Sequence, residues 1–237
     1  MDGKRMDKHT LKNHWHYSWW KYALLCAIGF FGVNILFTVT AYRVPEEKKI
    51  ELYVCSSYVD SIKLQEFLWP MILEASPEQE ELLVASINLT DTDPYTRMQF
   101  TTYTAAQQGD VLILPRSEFQ SMASDGAEYA FVNLQPYIDS GRLSVDGIDL
   151  SAGVLKNTAG QEGIYGIPVS SLYGLIDYNC DPWGGILCVT SYSMNEENAV
   201  LTADLLMDTM STEKPEGYDE MHNQSETQKQ QSSQLYF

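Results

Sequence analysis

The sequence predicts an α/β fold: one domain on a largely parallel sheet, preceded by a single transmembrane helix. Three observations carry this. Residues 22–42 (YALLCAIGFFGVNILFTVTAY) form an uncharged run of 21 residues. Beyond it, strand-like and helix-like segments alternate in the order β-α-β-α-β, the signature of a layered fold with crossover helices. Residues 110–114 (DVLIL) are short and almost continuously apolar, as in a parallel-sheet strand covered on both faces.

Charge is divided at the apolar run. The chain has 237 residues and a formal net charge of −17. Residues 1–43 carry Lys4, Arg5, Lys8, Lys12, Lys21 and Arg43 against Asp2 and Asp7, a net +4, so the remainder is −21. An exterior this acidic excludes nucleic acid as a partner, because phosphate backbones need a basic face. The run 22–42 spans about 30 Å as a helix, the thickness of a bilayer's hydrocarbon core. Trp15, Tyr17, Trp19, Trp20 and Tyr22 at one end and Tyr42 at the other form interfacial belts. Five basic residues before the span and one after it put residues 1–21 in the cytoplasm and the rest outside. The expected location is therefore the cell membrane, single-pass, with the lipid bilayer as a partner through 22–42. A cleaved signal peptide is the rival, since Val39-Thr40-Ala41 resembles a cleavage site. The run exceeds a signal core, which favours an uncleaved anchor. Asn34 inside the span reads as a tolerated polar residue.

Residues 43–49 read as a polar stalk broken by Pro45. Residues 50–56 (IELYVCS) open the outer domain as a strand. Residues 61–75 have helical apolar spacing, with Pro70 predicting a kink or break. Residues 81–89 (ELLVASINL) read as the second strand. Asp93 and Pro94 open a helix over 94–108 that Gly109 stops. Short helices follow over 117–123 and 134–140. Residues 163–178 and 185–191 (GILCVTS) are strand-like, and Asn195 caps a last helix over 196–210. Residues 50–210 suffice for one core. Residues 211–237 are polar and Gln/Ser/Glu-rich, and read as a disordered tail.

This order resembles an extracellular solute-binding protein of the type II periplasmic-binding class, used by ABC importers. The stretches that carry the likeness are IELYVCSS (50–57), GDVLILPRSEF (109–119), LQPYIDSGRL (134–143), GIYGIPVSSLYGLIDYN (163–179) and SMNEENAVLTADLLMDTM (193–210). The resemblance implies that they supply strand one, a further first-lobe strand with its helix, a helix near the cleft, the crossing strand and the returning helix. It also implies a second lobe inserted after the crossing strand. Here only CDPWG (180–184) separates that stretch from GILCVTS, so the expectation is lobe I alone. Two lobes would close on a ligand and bury it; one leaves an open shelf.

In open α/β sheets, ligands bind outside the carboxyl ends of the strands. The candidate ligand-binding residues are therefore Ser56, Ser57 and Tyr58, then Asn88 and Thr90, then Arg116 and Ser117, and finally Ser170, Ser171 and Tyr173. Hydroxyls, an amide, a guanidinium and phenols suit a small solute such as a sugar. The plainer reading makes Ser56, Ser57 and Ser117 helix caps and Arg116 a surface charge. The four histidines (His9, His14, His16, His222) all fall outside 44–210, which removes His-based triads and His-containing metal sites from the domain. No metal site, cofactor or catalytic residue is expected, and Asp91 and Asp93 read as a turn and a cap. Cys180 and Cys188 flank a turn and are candidates for a disulfide, while Cys55 reads as a small buried hydrophobe. Two functions follow: a membrane-anchored solute-binding-like protein tied to ABC-type uptake, with an ABC permease or other envelope protein as partner; or a non-catalytic envelope scaffold using the same lobe.

Overall fold

The computed structural model describes residues 8–89 and 93–218. They divide into two compact units, 1–43 and 44–237. Among the described residues, the first unit holds one helix, α1 (Lys8–Thr40). Within it, Trp19–Thr40 is long and apolar enough to cross a membrane, as an anchor or as a signal sequence. Three polar side chains in that stretch bond to the helix's own backbone. Asn34 Nδ2 donates to Phe30 O (2.9 Å), Thr38 Oγ1 to Asn34 O (2.8 Å) and Thr40 Oγ1 to Leu36 O (2.7 Å). Such bonds let an amide and hydroxyls sit in hydrocarbon without a partner helix.

The second unit begins with a 3₁₀ turn at Glu46–Lys48, then β1 (Lys49–Val54), α2 (Ser61–Ala75), β2 (Glu81–Ser86), α3 (Pro94–Ala105) and β3 (Val111–Pro115). Short helices α4 (Arg116–Met122), α5 (Ala127–Ala130) and α6 (Gln135–Asp139) precede a hairpin of β4 (Val154–Lys156) and β5 (Glu162–Ile164). The chain closes with β6 (Ile167–Pro168), β7 (Gly185–Val189) and α7 (Glu196–Met210). The main sheet has the order β2-β1-β3-β7-β6. β1 pairs parallel with β2 and β3, whereas β7 is antiparallel to both β3 and β6. Four strands thus run one way and β7 runs back between two of them.

Alternation along the strands builds two cores. Ile50, Leu52 and Val54 of β1 face α2 and α7, joined by Leu64, Leu68, Ile72, Ala203, Leu206 and Met207. Tyr53 and Cys55 face the other side, with Phe100 of α3, Phe119 of α4 and Phe131. The Phe119 and Phe131 rings stack 4.8 Å apart. Helices therefore cover both faces, as right-handed crossovers require.

A polar network ties the amino ends of the strands together. Glu51 is 3% exposed. It pairs with Lys49 and accepts from Gly109 N (2.7 Å) and Tyr53 OH (3.0 Å). Gly109 has φ +94°, and a Cβ there would lie 2.9 Å from Leu112 Cδ2, so the turn before β3 needs glycine. Asp110 accepts from Glu51 N (2.8 Å) and Ser193 Oγ (2.6 Å).

Several sequence expectations are corrected. The strand read over 163–178 breaks into β5, β6 and a 3₁₀ turn at Tyr173–Tyr178. Gly166 packs under Phe119, leaving no room for a Cβ, and Pro168 supplies no N–H to a ladder. The helix read over 94–108 ends at Ala105, where Gln107 takes φ +56°. The helix carrying Pro70 is unbroken from Ser61 to Ala75. Asp93 does cap α3, accepting from Tyr95 N, but Asn195 uses its side chain elsewhere, donating to Gln79 Oε1 (2.8 Å) and Lys49 O (3.2 Å). Cys180 and Cys188 are both free thiols. They belong to the cores on opposite faces of the sheet, which explains why they do not pair.

Candidate functional site

The carboxyl end of β1 sits at the middle of the sheet edge. Cys55 N donates to Ile113 O (2.7 Å), Ile87 N to Val54 O (2.9 Å) and Leu89 N to Cys55 O (2.9 Å), so the segments leaving β1, β2 and β3 emerge side by side. β7 enters at the same end: Pro115 pairs with Gly185, and Arg116 N donates to Gly184 O (3.3 Å). β6 leaves there, with Val169 N donating to Gly185 O (3.0 Å). Ser56, Ser57, Asn88, Arg116, Ser170 and Ser171 are thereby gathered at one end of the sheet. Thr90 lies outside the described residues.

The gathered side chains differ in availability. Ser56 is 6% exposed, and its Oγ is buried with no hydrogen-bond partner. Ser171 Oγ is likewise buried without a partner. These are the two such atoms among the described residues, and both fall at this end of the sheet. Ser57 is spent internally. Its Oγ lies 3.2 Å from Cys180 Sγ and accepts from Asp181 N (3.1 Å). It caps no helix: Asp60 does that for α2, accepting from Lys63 N. Ser117 and Arg116 are exposed within the first turn of α4, whose N-cap is Pro115, so Ser117 is not a cap either. Tyr58 is largely exposed, and Tyr173 meets Tyr218 edge-on at 5.2 Å.

Gly185 shapes the floor beside Ser56. A Cβ there would lie 2.7 Å from Val169 Cγ2 and 3.1 Å from both Ile113 Cγ2 and Ser56 Oγ. The loop 180–184 covers the neighbouring end of β1. Cys180 is 1% exposed, and burial pushes its thiol up to about 11. Asp181 Oδ1 accepts from Trp183 N (3.0 Å) and Tyr218 OH (2.7 Å). Asp181, Gly185 and Tyr218 were not among the residues the sequence singled out, and Cys180 was singled out only as a disulfide candidate. The Cys-Asp-Pro-Trp-Gly-Gly punctuation before β7 was a turn signal, but nothing local tied it to Ser57, 123 residues away.

Two surface clefts lie elsewhere. One of about 290 Å³ is lined by Gln120, Asp125, Lys156, Asn157 and Thr158 among others. The other runs along the outer face of α3 past Arg97, Met98 and Thr102. Among the described residues no group of three or more His, Cys, Asp or Glu is placed to hold a metal ion.

No protein-family model matches the chain, and no curated protein matches it. Solved structures give distant likenesses. One is an extracellular solute-binding protein family 1 from Alicyclobacillus acidocaldarius subsp. acidocaldarius DSM 446, at 13% identity over 53% of this chain and 29% of that one, with a TM-score of 0.36. Another is a de novo designed cysteine esterase, at 15% identity over 54% of this chain and 28% of that one, also with a TM-score of 0.36. The chain thus matches less than a third of either structure's length. Likenesses this distant decide no role.

Proposed function

We propose that this chain is a membrane-tethered, non-catalytic binding lobe, held outside the cell by its apolar helix. In this reading it takes a small polar solute, such as a sugar, weakly at the carboxyl end of its sheet and serves an ABC-type uptake system. The observation that carries the reading is the pair of orphaned hydroxyls, Ser56 and Ser171, at the end of the sheet where α/β folds bind ligands. Buried polar atoms almost always have partners, and exceptions need an explanation. A solute hydroxyl or carboxylate would supply one. A single lobe gives an open shelf, so affinity in the millimolar range is expected, about −4 kcal/mol. Thermal unfolding of the full chain against sugars, amino acids and short peptides at millimolar concentration tests this. No shift with any of them would sink it.

The second reading is an envelope scaffold. It is favoured by the way loop 180–184 occupies the end of β1 and leaves Trp183 54% and Tyr58 63% exposed on the outside. Crosslinking in native membranes separates the two. A single recovered envelope protein with no solute response supports the scaffold.

A further inference from the structure

The segment that follows α7 returns to the candidate site. Residues 211–217 are all exposed, and then Tyr218 is buried, 7% exposed. Its hydroxyl donates to Asp181 Oδ1 at 2.7 Å, and its ring meets Tyr173 edge-on. Asp181 N donates to Ser57 Oγ, which lies beside Cys180 Sγ. A chain of contacts therefore runs from Tyr218 through the 180–184 loop to the end of β1. Residues 211–215 lie in no helix or strand and 216–217 form a turn, closed by Tyr218 N donating to Pro215 O (3.2 Å), so no strand ladder ties this segment to the sheet. Such a segment opens at lower cost than the sheet beneath it.

We propose that Tyr218 is a latch: it pins the 180–184 loop against Ser57 at the end of β1, and its release widens access to the solute shelf there. As regulation of that shelf the proposal rests on the binding reading above, but the latch itself is testable without any solute. Cys180 is the reporter. Burial is the main cause that raises its thiol pKa; the Ser57 hydrogen bond opposes this, and the Asp181 charge adds to the rise. Thiolate is scarce while the loop is closed, and opening restores reactivity. Cys55 and Cys188, both fully buried in the core on the other face, are internal controls.

The full chain in detergent micelles, as wild type, Tyr218→Phe and Tyr218→Ala, would be treated with iodoacetamide and each cysteine followed by mass spectrometry. Tyr218→Ala is expected to speed Cys180 labelling about tenfold, and Tyr218→Phe less, since it keeps the ring contact and loses only the hydrogen bond. Cys55 and Cys188 should stay at their wild-type rates. An unchanged Cys180 rate in both variants overturns the latch. So does a parallel rise at all three cysteines, which means general loosening. Faster Cys180 labelling with no solute response supports the latch and sinks the binding reading. A solute response with unchanged Cys180 labelling does the reverse.

Discussion

Replacing Ser56 by alanine should stabilise the unliganded protein, the opposite of what most buried substitutions do. Ser56 is 6% exposed and its Oγ has no partner. Leaving a buried hydroxyl unsatisfied costs about 1–3 kcal/mol. Alanine removes that cost and forfeits the dispersion contacts of one oxygen, a few pairs at about 0.1–0.2 kcal/mol each. The net gain is about 1–2 kcal/mol. For a domain of this size that raises the melting temperature by roughly 2–8 °C. Thermal unfolding of the full chain followed by circular dichroism reads this directly. A solute that stabilises the wild type by bonding to Ser56 should lose its effect in Ser56→Ala. The variant would then be more stable alone and less responsive. A fall of 2 °C or more in Ser56→Ala, marked as about 1 kcal/mol lost, would refute the reasoning, because it would mean the hydroxyl is held by the fold.

Three further outcomes follow. Glu51→Ala strands Lys49, the Gly109 N–H and the Tyr53 hydroxyl at the amino end of the sheet, and should cost about 3–5 kcal/mol in urea unfolding; a loss below about 1 kcal/mol would show the network to be dispensable. Burial raises the Asp110 carboxyl pKa, outweighing the hydrogen bonds from Ser193 and the Glu51 N–H, while the Glu51 charge adds to the rise. Its folded state therefore holds a proton that the unfolded state releases, so its contribution is full below the ordinary carboxylate value and is lost as pH rises through the raised one. Relative to Asp110→Asn, wild-type stability should fall from pH 4 toward neutrality, and a relative rise measured by urea midpoints would reverse that sign. Gly185→Ala forces a Cβ against Val169 and Ile113 and should cost about 1–3 kcal/mol by the same assay, whereas a neutral result would mean that β6 and β7 yield freely.

The elements closest to their sequence signals are those whose signals are local. Helix α2 occupies the residues its apolar spacing marked, and Asp93 with Pro94 opens α3. The run at 110–114 became β3 shifted by one residue, Val111–Pro115, with Val111–Leu114 buried between β1 and β7. Segment 163–178 misled because Tyr165, Ile167 and Val169 alternate like a strand. Close approach of Gly166 to Phe119, and of Gly153 to Gly166, decides instead that the chain turns there. That the candidate residues would gather at one end of the sheet was legible, since strand ends follow from strand order. Which hydroxyls remain available was not legible. Ser56 and Ser57 are neighbours of one type, yet Ser57 is taken up by the distant Cys180 and Asp181 while Ser56 is left without a partner.

The sequence by itself determined the apolar helix, the acidic charge of the chain beyond it, the α/β class and the strand ends as the place to look. These rest on charge counts, runs and periodicities, which act within a few residues. Only the tertiary structure decided that β7 runs against its neighbours, that Cys180 and Cys188 lie on opposite faces, and that Tyr218 comes back to Asp181. Each of these is a pairing between residues far apart in the chain. Such pairings are fixed by how the two cores close over the sheet, and no local pattern encodes them.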